Sequence, residues 1–189
     1  MAMTIETGNI TKASTDAIVN AANSGLYEGA GVCGAIFGAV AASGGHQQLT
    51  QACREIGHCE TGNAVITPSF GLPAGSIIHA VGPVWSGDKN PTESLSSDQM
   101  KNVNELVSTY RAILRVCREN NLTSVTIPAI STGIYGFPVD LAAAIAVKVC
   151  MEEAGDIAVT LIGFNSDSEI TLRNAPTPEA SALLSGLSF

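Results

Sequence analysis

The chain has 189 residues, of which 46% are hydrophobic and 14% charged, and its formal net charge is -8 with a pI near 4.7. That length fits one domain of ordinary size, and so apolar a composition excludes a disordered segment. The acidic balance excludes a general binder of nucleic-acid backbones, which needs Lys and Arg to displace counterions, so no DNA partner is expected.

Met1 to Thr11 is too short and too polar for the apolar core of a secretion signal. No apolar run reaches membrane-spanning length, so no membrane partner is expected either. Ala17-Ile18-Val19 reads as a short buried strand, and Asn20 to Gly31 as the loop that leaves it. Val32 to Ala42 reads as a helix of small residues ended by Gly44-Gly45, and His46 to Ile56 as a second helix stopped by Gly57. Ala64 to Thr67 and Ile77 to Val81 are strands parted by Pro- and Gly-bearing turns. Gly82 to Ser97 is a polar loop. Asp98 then stands where it can cap a long helix whose apolar face is Val103, Leu106, Val107, Tyr110, Leu114 and Cys117, at spacings of three and four. Val125 to Ile127 is a strand ending in Pro128, and Leu141 to Glu153 a helix with Gly155 suited to its C-terminal cap. Ala158 to Phe164 has the apolar character of a strand buried on both faces.

Strands and helices alternating in this way predict an α/β fold: a three-layer α/β/α sandwich around a mixed, largely parallel central sheet. One domain is expected over residues 1–175. Residues 176–189 are small and polar with a few apolar residues, and a C-terminal tail or a frayed helix is expected there. Five cysteines form no paired CxxC motif, which points to reduced thiols and a cytoplasmic location. Cys53, His58 and Cys59 match no usual zinc spacing and lack a fourth ligand, so neither metal nor cofactor is expected. His79, within an apolar strand, reads as a core histidine more readily than as a base.

Two loops carry the chemistry, each joining the end of a strand to the start of a helix. The first runs from Asn20 to Val32 and includes Ala22, Asn23, Glu28, Gly29 and Gly31; the second is Ile130-Ser131-Thr132-Gly133-Ile134-Tyr135-Gly136-Phe137-Pro138. In open α/β sheets ligands bind at this edge, where glycines admit a close approach and free amides at a helix start attract anions. Neither loop holds a Lys or Arg, and Glu28 is the only charge. A phosphate here would be held by amides and the helix dipole, with an affinity that varies little with ionic strength. One such loop alone is most simply a tight turn needing positive φ; two, with matched polar residues, point to a ligand.

The segments Ala17 to Ser24, Cys59 to Gly62, Ile78 to Pro83 and Ile127 to Pro138, in that order, resemble the signature segments of macrodomains. The resemblance covers roughly Glu6 to Asn174 and is nearest to the MacroD-type hydrolases, which remove ADP-ribose from acidic side chains and deacetylate O-acetyl-ADP-ribose. It implies that the partners are ADP-ribose, its derivatives and mono-ADP-ribosylated proteins. By the same resemblance Gly8-Asn9-Ile10 line an adenine pocket, where the family usually has Asp at the place of Asn9. Asn23 would hold the distal ribose. Ala22, Gly29, Gly31 and Val32 of the first loop, with Ser131, Thr132, Gly133, Ile134 and Tyr135 of the second, would enclose the ribose and diphosphate. Phe137 would face or underlie the distal ribose.

The chief departure lies in Gly31-Val32-Cys33-Gly34-Ala35-Ile36-Phe37. MacroD-type enzymes commonly carry Asp at the place of Cys33 and His at that of Phe37, and the Asp is proposed to position water. Alphavirus macrodomains resemble this chain in carrying Gly-Val-Cys, and that group includes hydrolases. Two functions therefore stay open: an ADP-ribosyl ester hydrolase in which substrate positioning by Asn23 supplies the acceleration, and a non-catalytic ADP-ribose reader. Cys33, near a helix start that lowers a thiol pKa, is the candidate nucleophile; the alternative is a small residue lining the site.

Overall fold

The computed structural model describes residues 3–188. Six strands form one sheet in the order β1-β6-β5-β2-β4-β3: β1 Met3–Thr7, β2 Ala17–Ala21, β3 Ala64–Pro68, β4 Ser76–Ala80, β5 Ser124–Pro128 and β6 Ala158–Gly163. All neighbours run parallel except the edge pair β3 and β4, which is antiparallel. The helices are α1 Gly31–Ala42, α2 His46–Ile56, α3 Ser97–Glu119, α4 Val139–Glu153, α5 Ser166–Asn174 and α6 Pro178–Leu184.

Side-chain alternation along the central strands sorts the core into two layers. Ala17 and Val19 of β2 face the same cluster as Ile78 and Ala80 of β4 and the apolar faces of α3 and α4. Ile18, between Ala17 and Val19, and Ile77, just before Ile78, face Ile36, Phe37 and Val40 of α1 with Leu49 and Cys53 of α2. The period of two thus hands successive residues to opposite faces of one sheet, which produces the three-layer α/β/α sandwich. Each fully buried Ile or Val contributes about 1.5–3 kcal/mol through removal of apolar area from water.

Several elements differ from the sequence expectation. The edge strand β1 was not foreseen; its burial alternates only weakly, with Met3 and Ile5 half-buried between exposed Thr4 and Glu6. The cap of α3 is Ser96 rather than Asp98. The Ser96 hydroxyl accepts from the Gln99 amide at 3.2 Å while Gln99 Oε1 accepts from the Ser96 amide at 2.9 Å, a reciprocal arrangement that leaves Asp98 to favour the helix dipole. Helix α5 was also missed. The last strand stops at Gly163, and Phe164 is 80% exposed rather than part of a doubly buried strand. In the segment expected as a tail, Thr177 caps α6, whose Ala180 and Leu184 are buried in the cluster formed with α4.

Candidate functional site

The sheet order places the site. From β2 the chain moves on to strands on the β4 side, and from β5 to β6 on the other, so β2 and β5 flank a topological switch point. The first loop leaves the carboxyl end of β2 for α1, and the second leaves that of β5 for α4. Because β2 and β5 are parallel neighbours, the two loops meet at one edge of the sheet.

Both loops present unpaired amides. Helices α3, α5 and α6 are capped by the side chains of Ser96, Asn165 and Thr177, whereas Ala30 and Pro138 at the starts of α1 and α4 offer no side-chain cap. Among the described residues, the amides of Glu28, of Ala30 to Cys33 and of Thr132 to Tyr135 donate to no acceptor, while the Gly29 amide is hydrogen-bonded to the Cys33 thiol. Free donors at the start of α1 and along the loop ahead of α4 are suited to an anion. Gly31, at φ +60 with open space where a Cβ would stand, needs to be glycine for this conformation. Ser131 is a non-glycine residue at φ 66, and its buried hydroxyl has no hydrogen-bond partner among the described residues. Such strain costs about 1–3 kcal/mol and persists only where the surroundings impose it. Here Phe137 N donates to Ser131 O at 2.9 Å, Gly136 N to Gly133 O at 3.0 Å, and Trp85 N to Tyr135 O at 2.8 Å. The Trp85 and Phe137 rings pack at 4.6 Å and fix the loop from below.

A buried polar chain supports the first loop. Thr67 Oγ1 donates to Pro68 O at 3.0 Å, so His79 Nε2–H donates to Thr67 Oγ1 at 2.9 Å and His79 Nδ1 accepts from Asn20 Nδ2 at 3.1 Å. Burial pushes the His79 pKa down to about 4, so the imidazole stays neutral and is no base near neutral pH. The Asn20 amide also donates to Cys33 Sγ at 3.7 Å, and Cys33 S–H to Tyr27 O at 3.6 Å. Asn20, 1% exposed and with its Oδ1 unpartnered among the described residues, is the hub the sequence reading missed. Nothing in its local sequence marks it, because its partner His79 is brought opposite by the register of β2 on β4.

The expectation for the Cys33 thiol is reversed. Burial pushes its pKa up and outweighs the bonds from the Gly29 amide and from Asn20, so the thiolate that a nucleophile requires is disfavoured. Asn23, half-buried, closes the loop on itself: its Nδ2 donates to Tyr27 O at 2.9 Å and its Oδ1 accepts from Tyr27 N at 3.0 Å. One amide hydrogen and one lone pair remain for a ligand. A Cβ on Gly29 would stand 3.7 Å from Asn23 Nδ2 and 3.8 Å from Cys33 Sγ, so the fold does bring these three residues together.

The remaining predicted residues are placed as follows. Asn9 is exposed, and its Oδ1 accepts from both the amide and the hydroxyl of Thr11, at 3.0 and 2.7 Å, as cap of a 3-10 turn over Ile10–Lys12. An adenine amine would find both lone pairs engaged. Ile10 and Ala22 are buried with Ile162 beneath the first loop; Val32 is half-buried and Ile134 86% exposed. Thr132, Gly133 and Tyr135 form the open turn of the second loop, and Phe137 is buried at 2% exposure. Phe37, also buried, packs T-shaped with the His46 ring at a centroid distance of 6.1 Å, and His46 Nε2 lies 2.8 Å from Glu28 Oε2, so the loop's one charge is paired. Among the described residues no three His, Cys, Asp or Glu side chains lie so as to hold a metal.

The fold and its two amide-rich loops define an open α/β sandwich with a ligand edge at the β2/β5 switch point. Comparison with known proteins gives the family. Residues 19–146 match the model of the macro domain, and the chain belongs to that family. It is 40% identical over 172 residues to a macro domain-containing protein of Ralstonia nicotianae, covering 91% of this chain and 92% of that one. It is 44% identical over 149 residues to the O-acetyl-ADP-ribose deacetylase of Escherichia coli, covering 77% and 76%. Among solved structures it is similar to the Oceanobacillus iheyensis macrodomain with ADP, at TM-score 0.74 and 32% identity over 89% of this chain and 86% of that one. A Trypanosoma brucei macrodomain in complex with ADP-ribose gives TM-score 0.74 and 30% identity over 91% and 68%.

Proposed function

We propose that this macrodomain binds ADP-ribose between the two loops and hydrolyses ADP-ribosyl esters, either O-acetyl-ADP-ribose or mono-ADP-ribosylated Asp and Glu of proteins. The observation that carries the reading is the two sets of free amides, Ala30 to Cys33 at the uncapped start of α1 and Thr132 to Tyr135 in the loop ahead of α4, flanking one switch point. These donors suit a diphosphate, and Asn23 retains hydrogen-bonding capacity for the distal ribose beside it. The names of the relatives support the activity: an E. coli relative is an O-acetyl-ADP-ribose deacetylase, and solved macrodomains hold ADP or ADP-ribose.

The reaction is ester hydrolysis by water, and the loops contribute position and electrostatics rather than a base. Amides along the diphosphate would hold one end of the ligand while Asn23 fixes the ribose, leaving the ligand's phosphate to orient the attacking water. A reader function is favoured by one observation, the Cys33 thiol whose pKa burial raises where related hydrolases carry a carboxylate. Incubation with O-acetyl-ADP-ribose and with a mono-ADP-ribosylated acceptor, followed by quantification of deacetylated and released ADP-ribose, separates the two. Tight binding with no turnover of either ester establishes the reader.

A further inference from the structure

The two loops contain no Lys or Arg, yet the fold delivers a cation to one of them. Lys89 lies in the segment between β4 and α3, with its Cε 3.5 Å and its Nζ 3.8 Å from where a Cβ on Gly136 would stand. Its neighbours in sequence are pinned. Trp85 N donates to Tyr135 O at 2.8 Å, and the Trp85 ring packs on Phe137. Trp85 Nε1 and Gln99 Nε2 both donate to Asp88 O, at 2.8 and 3.2 Å, and Asn90 N donates to Asp88 Oδ1 at 3.0 Å. The segment before Lys89 is therefore tied at once to the second loop and to the first turn of α3. Lys89 is exposed and forms no ion pair among the described residues.

We propose that Lys89 is the cation of the ligand site, its ammonium pairing with the anionic part of an ADP-ribosyl ligand lying along the second loop. This rests on the ADP-ribose reading above and revises the expectation of a cradle indifferent to salt. Three features carry it. An acidic chain of net charge -8 repels an anionic ligand at long range, so a local positive group has the most effect at the mouth of the site. The acids nearest in sequence to these loops do not neutralise Lys89: Glu28 is bound to His46, Asp88 accepts from Asn90, and Asp140 lies in the first turn of α4. Gly136, at φ +70 and without a side chain, leaves the lysine stem room to swing its head across the turn.

The test is titration calorimetry with ADP-ribose on wild type, Lys89→Met and Lys89→Arg, at low salt and at roughly 1 M salt, where the Debye length has shrunk to about 3 Å. Lys89→Met should weaken binding about threefold to fivefold at low salt, the size expected of an exposed ion pair. That deficit should vanish at high salt, and Lys89→Arg should bind like wild type. Equal affinity of wild type and Lys89→Met at low salt overturns the inference. So does a deficit of the same size at both salts, which marks a structural rather than an ionic role. A wild type that binds no ADP-ribose at either salt overturns the reading beneath it as well.

Discussion

Gly82 touches the strained part of the site from behind, and its replacement by Ala gives a sharp test of how the second loop is held. A Cβ at position 82 would stand 2.2 Å from Ser131 Oγ and 2.6 Å from Ile130 Cγ2. Non-bonded carbons keep about 3.5 Å apart, so the Ser131 hydroxyl and the Ile130 methyl must each give by roughly 1 Å, or the Ser131 backbone must move with them. It has little freedom to do so, because it already sits at φ 66 with its carbonyl bound to Phe137 N. Overpacking of this kind costs about 1–3 kcal/mol. For a chain of this length each kcal/mol moves Tm by about 2–4 °C, so Gly82→Ala should melt about 2–12 °C lower. Its affinity for ADP-ribose should fall too, since displacing Ser131 displaces the amides that follow it. Gly133→Ala serves as control, because its added Cβ would meet nothing within 4 Å, and its Tm should change little. Adding Ser131→Gly to Gly82→Ala should recover part of the loss by removing both the hydroxyl and the strain, the rest remaining with Ile130. Scanning calorimetry and ligand titration decide the matter: Gly82→Ala with wild-type Tm and wild-type affinity refutes the argument.

Two further perturbations follow from the first loop. Asn23→Ala removes both bonds to Tyr27, each worth about 1 kcal/mol net, so hydrogen exchange of the amides after Asn23 should quicken and ester turnover should fall; unchanged exchange and turnover would sink the assignment. His79, at about 4 in the folded protein against 6.5 for the free side chain, makes the unfolded chain bind the extra proton between those values. Stability should therefore be full above pH 6.5, decline by roughly 3 kcal/mol as pH falls towards 4, and level off below. Denaturant titrations should show this decline in wild type and lose it in His79→Gln; an equal decline in both contradicts the buried-neutral assignment.

What the sequence reveals depends on whether a signal is local. Helices α2 and α3 and strands β2, β4 and β5 are legible because apolar spacing alone identifies them. Strand β1 escapes because at the sheet edge only alternate residues, Met3 and Ile5, are partly covered. Helix α5 escapes because Leu172 is its one buried residue, which leaves hardly any apolar stripe to read. The start of α6 was present as Thr177-Pro178, a cap followed by a proline in the first turn, but seven residues make a weak pattern. The loops are legible for the same reason as the central strands, since their glycines and small polar residues are contiguous. Asn20 and Lys89 are not: one acquires its meaning from strand register, the other from a loop packed on a distant turn.

The decisive question for catalysis is whether any side chain here moves a proton, and the polar chain behind the first loop bears on it directly. Each donor in that chain already has an acceptor: Cys33 gives to Tyr27 O, Asn20 to Cys33 and His79, His79 to Thr67, and Thr67 to Pro68 O. Cys33 is thus a buried spacer, with its proton committed inward and its pKa pushed up. A general base or nucleophile at this position would contribute about a hundred-fold or more. Cys33→Ala loses only weak sulfur contacts, to Tyr27 O at 3.6 Å, from Asn20 at 3.7 Å and from the Gly29 amide, and should keep ADP-ribose affinity and hydrolysis within a fewfold of wild type. In both proteins kcat should show no inflection shared with a thiol or with His79 between about pH 6 and 8, because neither titrates there. If Cys33→Ala binds ADP-ribose normally and hydrolyses nothing, water positioned by the substrate is not enough, and the thiol must take part in the reaction despite its burial.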